Sequence, residues 1–184
     1  MSPEDPLAPS IRYRWTVLVM LTLVYTFNFI DRQILVILQE PIKADLGLSD
    51  AQLGLLSGFS FALVYVTAGI PIAWLADRGN RRNIVAVSLG FWSFMTALSG
   101  LAQNYGQLLA ARIGVGIGEA GGSPPSHSMV SDYFPAKQRG TALSFYSTGI
   151  YIGILIGFAA GGWIAETFGW RVAFFLVGVP GIFY

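Results

Sequence analysis

Residues 15–38, WTVLVMLTLVYTFNFIDRQILVIL, are apolar throughout except for a few small polar side chains and one charged pair, Asp31 and Arg32. A run of this length meets the roughly 20 residues that a helix needs to cross a hydrocarbon core. A charge inside such a helix costs about 2.5–3.5 kcal/mol on insertion scales, so an ionisable pair there marks a function by default. Further apolar stretches follow at 51–76, 84–103, 108–130, 141–165 and 172–184, separated by short polar breaks. The last is too short to span by itself. These spacings predict an all-α, multi-pass membrane protein of six helices with the sixth truncated, as in a fragment or a shortened copy of a longer chain.

Composition agrees with that reading. Hydrophobic residues make up 54% of the chain and charged residues only 11%, against about 25% charged in ordinary soluble domains. A net charge of +1 gives a nucleic-acid partner no electrostatic support. Cysteine is absent and histidine occurs once, which removes disulfides and thiolate chemistry and leaves a poor donor set for a metal. No cofactor is called for. In the N-terminal segment, MSPEDPLAPSIRYR, Glu4 and Asp5 precede Arg12 and Arg14, and the apolar run behind it exceeds a signal-peptide core of about 7–15 residues. An uncleaved first helix is expected.

The short loops set the orientation. With the N-terminus in the cytoplasm, that side receives Arg12, Arg14, Arg78, Arg81, Arg82, Lys137 and Arg139, and the other receives Lys43 and Arg171. Positive charge favours the inside, so a cytoplasmic N-terminus in the cell (inner) membrane is expected. The connector QEPIKADLGLSDAQ reads as the longest outer loop, with Asp50 as a cap for the second helix. Trp15, Trp163 and Trp170 fall near expected helix ends, where interfacial aromatics collect.

At 1.5 Å per residue, Asp31 stands about 25 Å along the first helix. Arg112, about one turn into the descending fourth helix, reaches a similar height, so the two can meet. Glu119 lies two turns further on nearly the same face. Arg32 is rotated about 100° from Asp31 and can border the same cavity without sharing its direction. The simplest outcome is mutual neutralisation, Asp31 with Arg112 and Arg32 with Glu119. The same arrangement suits a proton relay, because loss of water favours a neutral carboxyl and a neighbouring arginine favours the ionised one. His127 is expected as a hydrogen-bonded helix-end residue, or as a contact for a proton or a substrate headgroup.

RIGVGIGEAGGSPP contains Gly116, Gly118 and Gly121 in a GxGxxG pattern, yet the preceding strand that gives the dinucleotide motif its meaning is missing. Small residues at this density let helices approach closely, while Pro124 and Pro125 should kink or end the fourth helix. Gly149, Gly153, Gly157 and Gly161 recur every four residues and form a packing stripe on the fifth.

LADRGNRRN, residues 75–83, resembles the loop between the second and third helices of major facilitator superfamily transporters, usually G-x-x-x-D-R-x-G-R-R. Asp77, Arg78, Arg81 and Arg82 match; Ala73 and Asn80 stand in place of glycines. RIGVGIGEA resembles the fourth-helix pattern R-x-x-x-G-x-G-x-A. The stripe ending at Gly161 and Gly162 is similar to the fifth-helix motif but has Ala159 and Ala160 where a Gly-Pro step is usual. NFIDRQIL together with Glu119 is similar to the spinster-like subgroup, whose members are implicated in moving lysolipids and sphingoid phosphates.

The resemblance implies the N-terminal half of a secondary transporter that works by alternating access against a C-terminal six-helix half absent from this chain. The substrate is expected to be small, amphipathic or anionic, with protons and membrane lipids as the other partners. Asp31 and Glu119 are the expected proton carriers, with Arg112 tuning them. Arg32, Asn28, Glu119 and His127 are the expected substrate contacts. Asp77 with Arg78, Arg81, Arg82 and Arg139 is expected to form a cytoplasmic latch of ion pairs. The aromatic residues Tyr25, Phe27, Phe29, Phe59, Phe61, Tyr65, Tyr146 and Tyr151 can line an apolar tail path, although core packing suits most of them. A proton-coupled organic-anion or sugar-acid transporter and a non-transporting membrane scaffold are the alternatives. A scaffold has no use for carboxylates and arginines at matched depth. An enzyme would need a nucleophile beside a base, and Ser126 and His127 are merely adjacent.

Overall fold

The computed structural model describes residues 9–184; Glu4 and Asp5 lie outside the described residues. In chain order the helices are α1 (Ile11–Ile37), α2 (Gln39–Leu46), α3 (Asp50–Arg78), α4 (Arg81–Ser99), α5 (Tyr105–Glu119), α6 (Ser123–Tyr133), α7 (Ala136–Phe168) and α8 (Trp170–Ile182). No strand occurs among the described residues. α1, α3 and α7 are long and apolar enough to cross a membrane. Each begins or ends on local chemistry: Ser10 caps α1 by accepting from the Tyr13 amide, and Gly169, at φ 85°, ends α7 in a backbone conformation that favours glycine.

Three local expectations are corrected. The connector after α1 is not an open loop, because residues 39–46 form α2, stopped by Gly47 at φ 63°. Ser49 rather than Asp50 caps α3, since its side chain accepts from the Gln52 amide while Gln52 reaches back to the Ser49 amide. The fourth apolar stretch is two helices, with the break at residues 120–122, upstream of Pro124 and Pro125. There Gly121 and Gly122 donate to Gly118 and Glu119, three residues back, and the prolines sit in the first turn of α6, where a missing N–H is harmless.

α3 carries a further irregularity that composition does not announce. Residues 55–59 wind as a π-helical turn, in which the Ser60 amide donates to the Leu55 carbonyl five residues back. Such a turn inserts one extra residue and swings the faces beyond it by about 100° relative to those before it.

The bundle is closed by glycine. Gly149, Gly153, Gly157 and Gly161 of α7 lie against α1 so tightly that a β-carbon at Gly153 would stand 2.6 Å from the Thr26 carbonyl oxygen. Gly178 of α8 meets α4 in the same way, 2.6 Å from the Ser93 carbonyl. In a lipid-like setting, where apolar burial drives little, this close packing holds helices together.

Two apolar clusters result. One gathers Ile34, Leu38, Leu56, Leu108 and Phe174; the other gathers Leu21, Val24, Trp92, Val115 and Tyr146. On α1 and α5 the chain passes from one cluster to the other through Asp31 and Arg112, and Thr96 of α4 reaches Asp31 from the side. The charged side chains thus lie between two dry layers, where their partners must come from the protein.

Candidate functional site

Asp31 and Arg112 form the first pair. An Arg112 terminal nitrogen (Nη1) donates to Asp31 Oδ1 at 3.2 Å, and Thr96 Oγ1 donates to Asp31 Oδ2. Asp31 is 2% exposed and Arg112 3%. The pair is sealed.

Arg32 and Glu119 form the second. Arg32 Nε donates to Glu119 Oε2 at 2.7 Å. Glu119 is fully buried, yet the Arg32 side chain keeps 31% of its surface exposed. Around its guanidinium stand the rings of Phe29, Phe61 and Tyr65, with centroids at 5.4, 5.1 and 5.1 Å. Aromatic faces attract a cation at this range, so Arg32 is held by aromatics while part of it stays open.

Three buried polar atoms in this region have no hydrogen-bond partner among the described residues: Asn28 Oδ1, Arg112 Nε and Glu119 Oε1. Buried polar groups are nearly always satisfied, so these atoms mark where a water or a ligand would be bound. Asn28 precedes Arg32 by one helical turn on α1 and is itself buried.

His127 on α6 lies apart from both pairs. Its Nδ1 is 2.9 Å from the Ser123 carbonyl oxygen, and its ring meets Tyr146 edge-on at 5.0 Å. Tyr146 in turn stacks on Tyr25 at 4.4 Å. The histidine is exposed and closes an aromatic row that leads along α1 toward Phe29.

At the end of the bundle that carries the N-terminus, the basic residues are distributed differently from the expected cluster. Arg81 at the start of α4 pairs with Asp132 near the end of α6. Asp77 makes no ion pair among the described residues. Arg78 stacks on Trp74 at 3.9 Å, and Arg139 donates to the Phe134 carbonyl at 3.1 Å. Arg82 lines a cavity of about 500 Å³ with Tyr13 and Tyr133. The carboxylate that ties this end together is Asp132, on the helix after the break, where it meets the first turn of α4.

The opposite end has its own cluster. Asp45 accepts from Arg171 at 2.6 Å and from Trp170 Nε1 at 3.2 Å, and Arg171 also donates to the Ala102 carbonyl at 3.2 Å. The hydrogen bond from Arg171 holds the Asp45 carboxyl below its ordinary range, and the one that Lys43 donates to the Asp50 carboxylate raises the Lys43 ammonium above its own. Trp170 is buried in this cluster rather than lying in an interfacial belt; its indole N–H has Asp45 to satisfy it.

Comparison with known proteins places this architecture in a family. The model of the Major Facilitator Superfamily matches residues 21–184. An MFS-type efflux pump of Mycolicibacterium smegmatis is 39% identical over 171 residues, covering 93% of this chain and 40% of the pump. A probable galactarate/D-glucarate transporter of Bacillus subtilis is 35% identical, over 96% of this chain and 40% of that protein. Crystal structures of a bacterial homolog of the human lysosomal transporter Spinster, inward-facing and either occupied or unoccupied, superpose with a TM-score of 0.88 at 42% identity. The occupied one covers 95% of this chain and 43% of the homolog.

The chain therefore belongs to the Major Facilitator Superfamily and corresponds to the N-terminal half of such a transporter. It spans about two-fifths of the length of the relatives it matches. The relatives it matches are named as transporters and an efflux pump, not as enzymes.

Proposed function

We propose that the chain forms the N-terminal six-helix half of a proton-coupled secondary transporter that moves an amphipathic, anionic substrate of the lysolipid or sphingolipid kind by alternating access. Its N-terminus is cytoplasmic, the membrane is the cell's inner membrane, and a C-terminal six-helix half supplies the opposing wall. The observation that carries this reading is the half-open pair: a fully buried Glu119 bound to an Arg32 that keeps 31% of its side-chain surface exposed.

Protonation of Glu119 would cancel the charge that holds Arg32. The guanidinium then turns to an anionic headgroup, with Asn28 and His127 as further contacts. Asp31 is the second proton carrier and Arg112 tunes both carboxylates. Binding in such transporters lies near the midplane between the halves, and access alternates as one half rocks against the other. Asp77, Arg78, Arg81, Arg82 and Arg139 act as the cytoplasmic latch against the C-terminal half.

A second reading, a proton-coupled sugar-acid transporter, draws on the galactarate/D-glucarate relatives and on the aromatic rings beside Arg32, which suit a sugar as well as a tail. The test is flux in liposomes holding the intact transporter, under an imposed pH gradient, with a labelled lysolipid and a labelled sugar acid. Gradient-driven lysolipid flux that collapses in Asp31→Asn and Glu119→Gln supports the proposal. Flux of the sugar acid alone moves the substrate class, and unchanged flux in both variants rejects the coupling roles.

A further inference from the structure

Phe61 lies two residues beyond the π-helical turn of α3, on the same helical face as Tyr65. Its ring centroid is 5.1 Å from the Arg32 guanidinium carbon and 5.8 Å from that of Arg112. Each guanidinium is bound to a different carboxylate. Phe29 and Tyr65 contact Arg32; among the described residues Phe61 alone is shared by both arginines. Its helix packs on α5 here at ordinary contact distance, a β-carbon at Gly116 standing 3.5 Å from Phe61 Cδ2.

The charged and titratable groups around this ring come from three helices, Tyr25, Asp31 and Arg32 on α1, Tyr65 on α3 and Arg112 and Glu119 on α5, with the Thr96 hydroxyl from α4 on Asp31. Phe61 is neutral and touches both pairs. The π turn is what aims it, because the same helix wound regularly would carry residues 61 and 65 about 100° away.

We infer that Phe61 is a positioning residue that couples the two ion pairs: one ring holds both guanidinium groups, so a change in the partner of one is transmitted to the other. Two cations draw on one electron-rich ring. When Arg32 gives up Glu119, it shifts on the ring, and the contact of that ring with Arg112 shifts with it. α3, hinged at its π turn, carries the displacement away from the site. As a regulation of coupling, this inference rests on the transport reading; as a physical link between the pairs, it stands apart from that reading.

The test separates the two. Unfolding of the detergent-solubilised intact protein is measured for Asp31→Asn, Glu119→Gln and the double variant, in the wild-type chain and again with Phe61→Leu, which keeps an apolar side chain and removes the ring. In the wild-type chain the double variant should depart from additivity by roughly fivefold or more in the unfolding constant. With Phe61→Leu the departure should fall to less than half, and Phe61→Tyr should restore it. A departure unchanged by Phe61→Leu, or none in the wild-type chain, overturns the inference. In liposomes the same Phe61→Leu change should lower gradient-driven accumulation more than it lowers exchange without a gradient; equal losses overturn the coupling role. Should Asp31→Asn and Glu119→Gln leave accumulation intact, the transport proposal falls while the unfolding cycle still judges Phe61.

Discussion

The two ion pairs use the same chemistry in different surroundings. Asp31 and Arg112 are closed in on all sides and joined by Thr96; Arg32 and Glu119 combine one buried partner with one that reaches open space. A sealed pair has no exchange partner, so its removal registers mainly as lost stability. A half-open pair can trade one anion for another at modest cost. The first pair joins α1, α4 and α5 through buried contacts alone, whereas the second keeps part of an arginine exposed, the feature on which the proposed ligand contact rests.

The largest effect should come from the sealed pair. Asp31→Asn leaves the Arg112 charge buried and without its carboxylate, which costs about 3–5 kcal/mol when a buried pair loses one partner. Chemical unfolding of the intact protein in detergent checks it. A loss below that of an exposed pair would mean that water reaches Arg112, and the distinction between the pairs would fail.

Thr96→Val comes next. The valine fills the same volume but cannot donate to Asp31, and a hydrogen bond to a charged group contributes about 1.5–3 kcal/mol. Thr96→Ser should recover most of the loss. If valine and serine behave alike, the hydroxyl is a packing group and Arg112 alone holds Asp31.

Arg32→Ala should change stability less than either, because its guanidinium already meets open space and the Glu119 left behind can take a proton in its place. The effect falls instead on transport, where loss of a charge-assisted contact of about 1.5–3 kcal/mol weakens apparent substrate affinity on the order of tenfold to a hundredfold. A stability loss equal to that of Asp31→Asn would erase the contrast.

How much of this could be read in the sequence follows from which interactions are local. The spacing Arg112 to Glu119, two turns on one face, and the adjacency of Asp31 and Arg32 fix directions within a helix, so both pairs were legible before any coordinates. The glycines at every fourth position of α7 likewise announce a close helix contact. Thr96 was not legible, because Ser88, Ser93, Thr96 and Ser99 offer the same hydroxyl along α4 and only packing selects which faces Asp31. The π turn left no composition signal in Leu55–Phe59. Asp132 escaped notice because its partner, Arg81, is far off in sequence and stands among several arginines. α2 was hidden for a similar reason: QEPIKADL is polar enough to read as loop, and its fold depends on burying Ile42 under α1 and α3.

The smallest effect belongs to an ion pair with no buried member. Asp45 and Arg171 are both well exposed, and such pairs contribute little because water and salt screen them. Asp45→Asn should leave the thermal midpoint of the intact protein nearly unchanged at neutral pH. What difference exists has a definite sign. The Arg171 hydrogen bond depresses the Asp45 carboxyl, so the pair stabilises the folded state above the ordinary carboxylate range of about 4. Its contribution is lost as pH falls below that range, where the folded carboxyl takes up its proton. Wild type and variant should therefore differ slightly at neutral pH and converge in acid. A gap that widens in acid would mean that Asp45 holds Trp170 and the first turn of α8 through its neutral form, and that this end of the bundle, rather than the sealed pair, sets the stability of the whole.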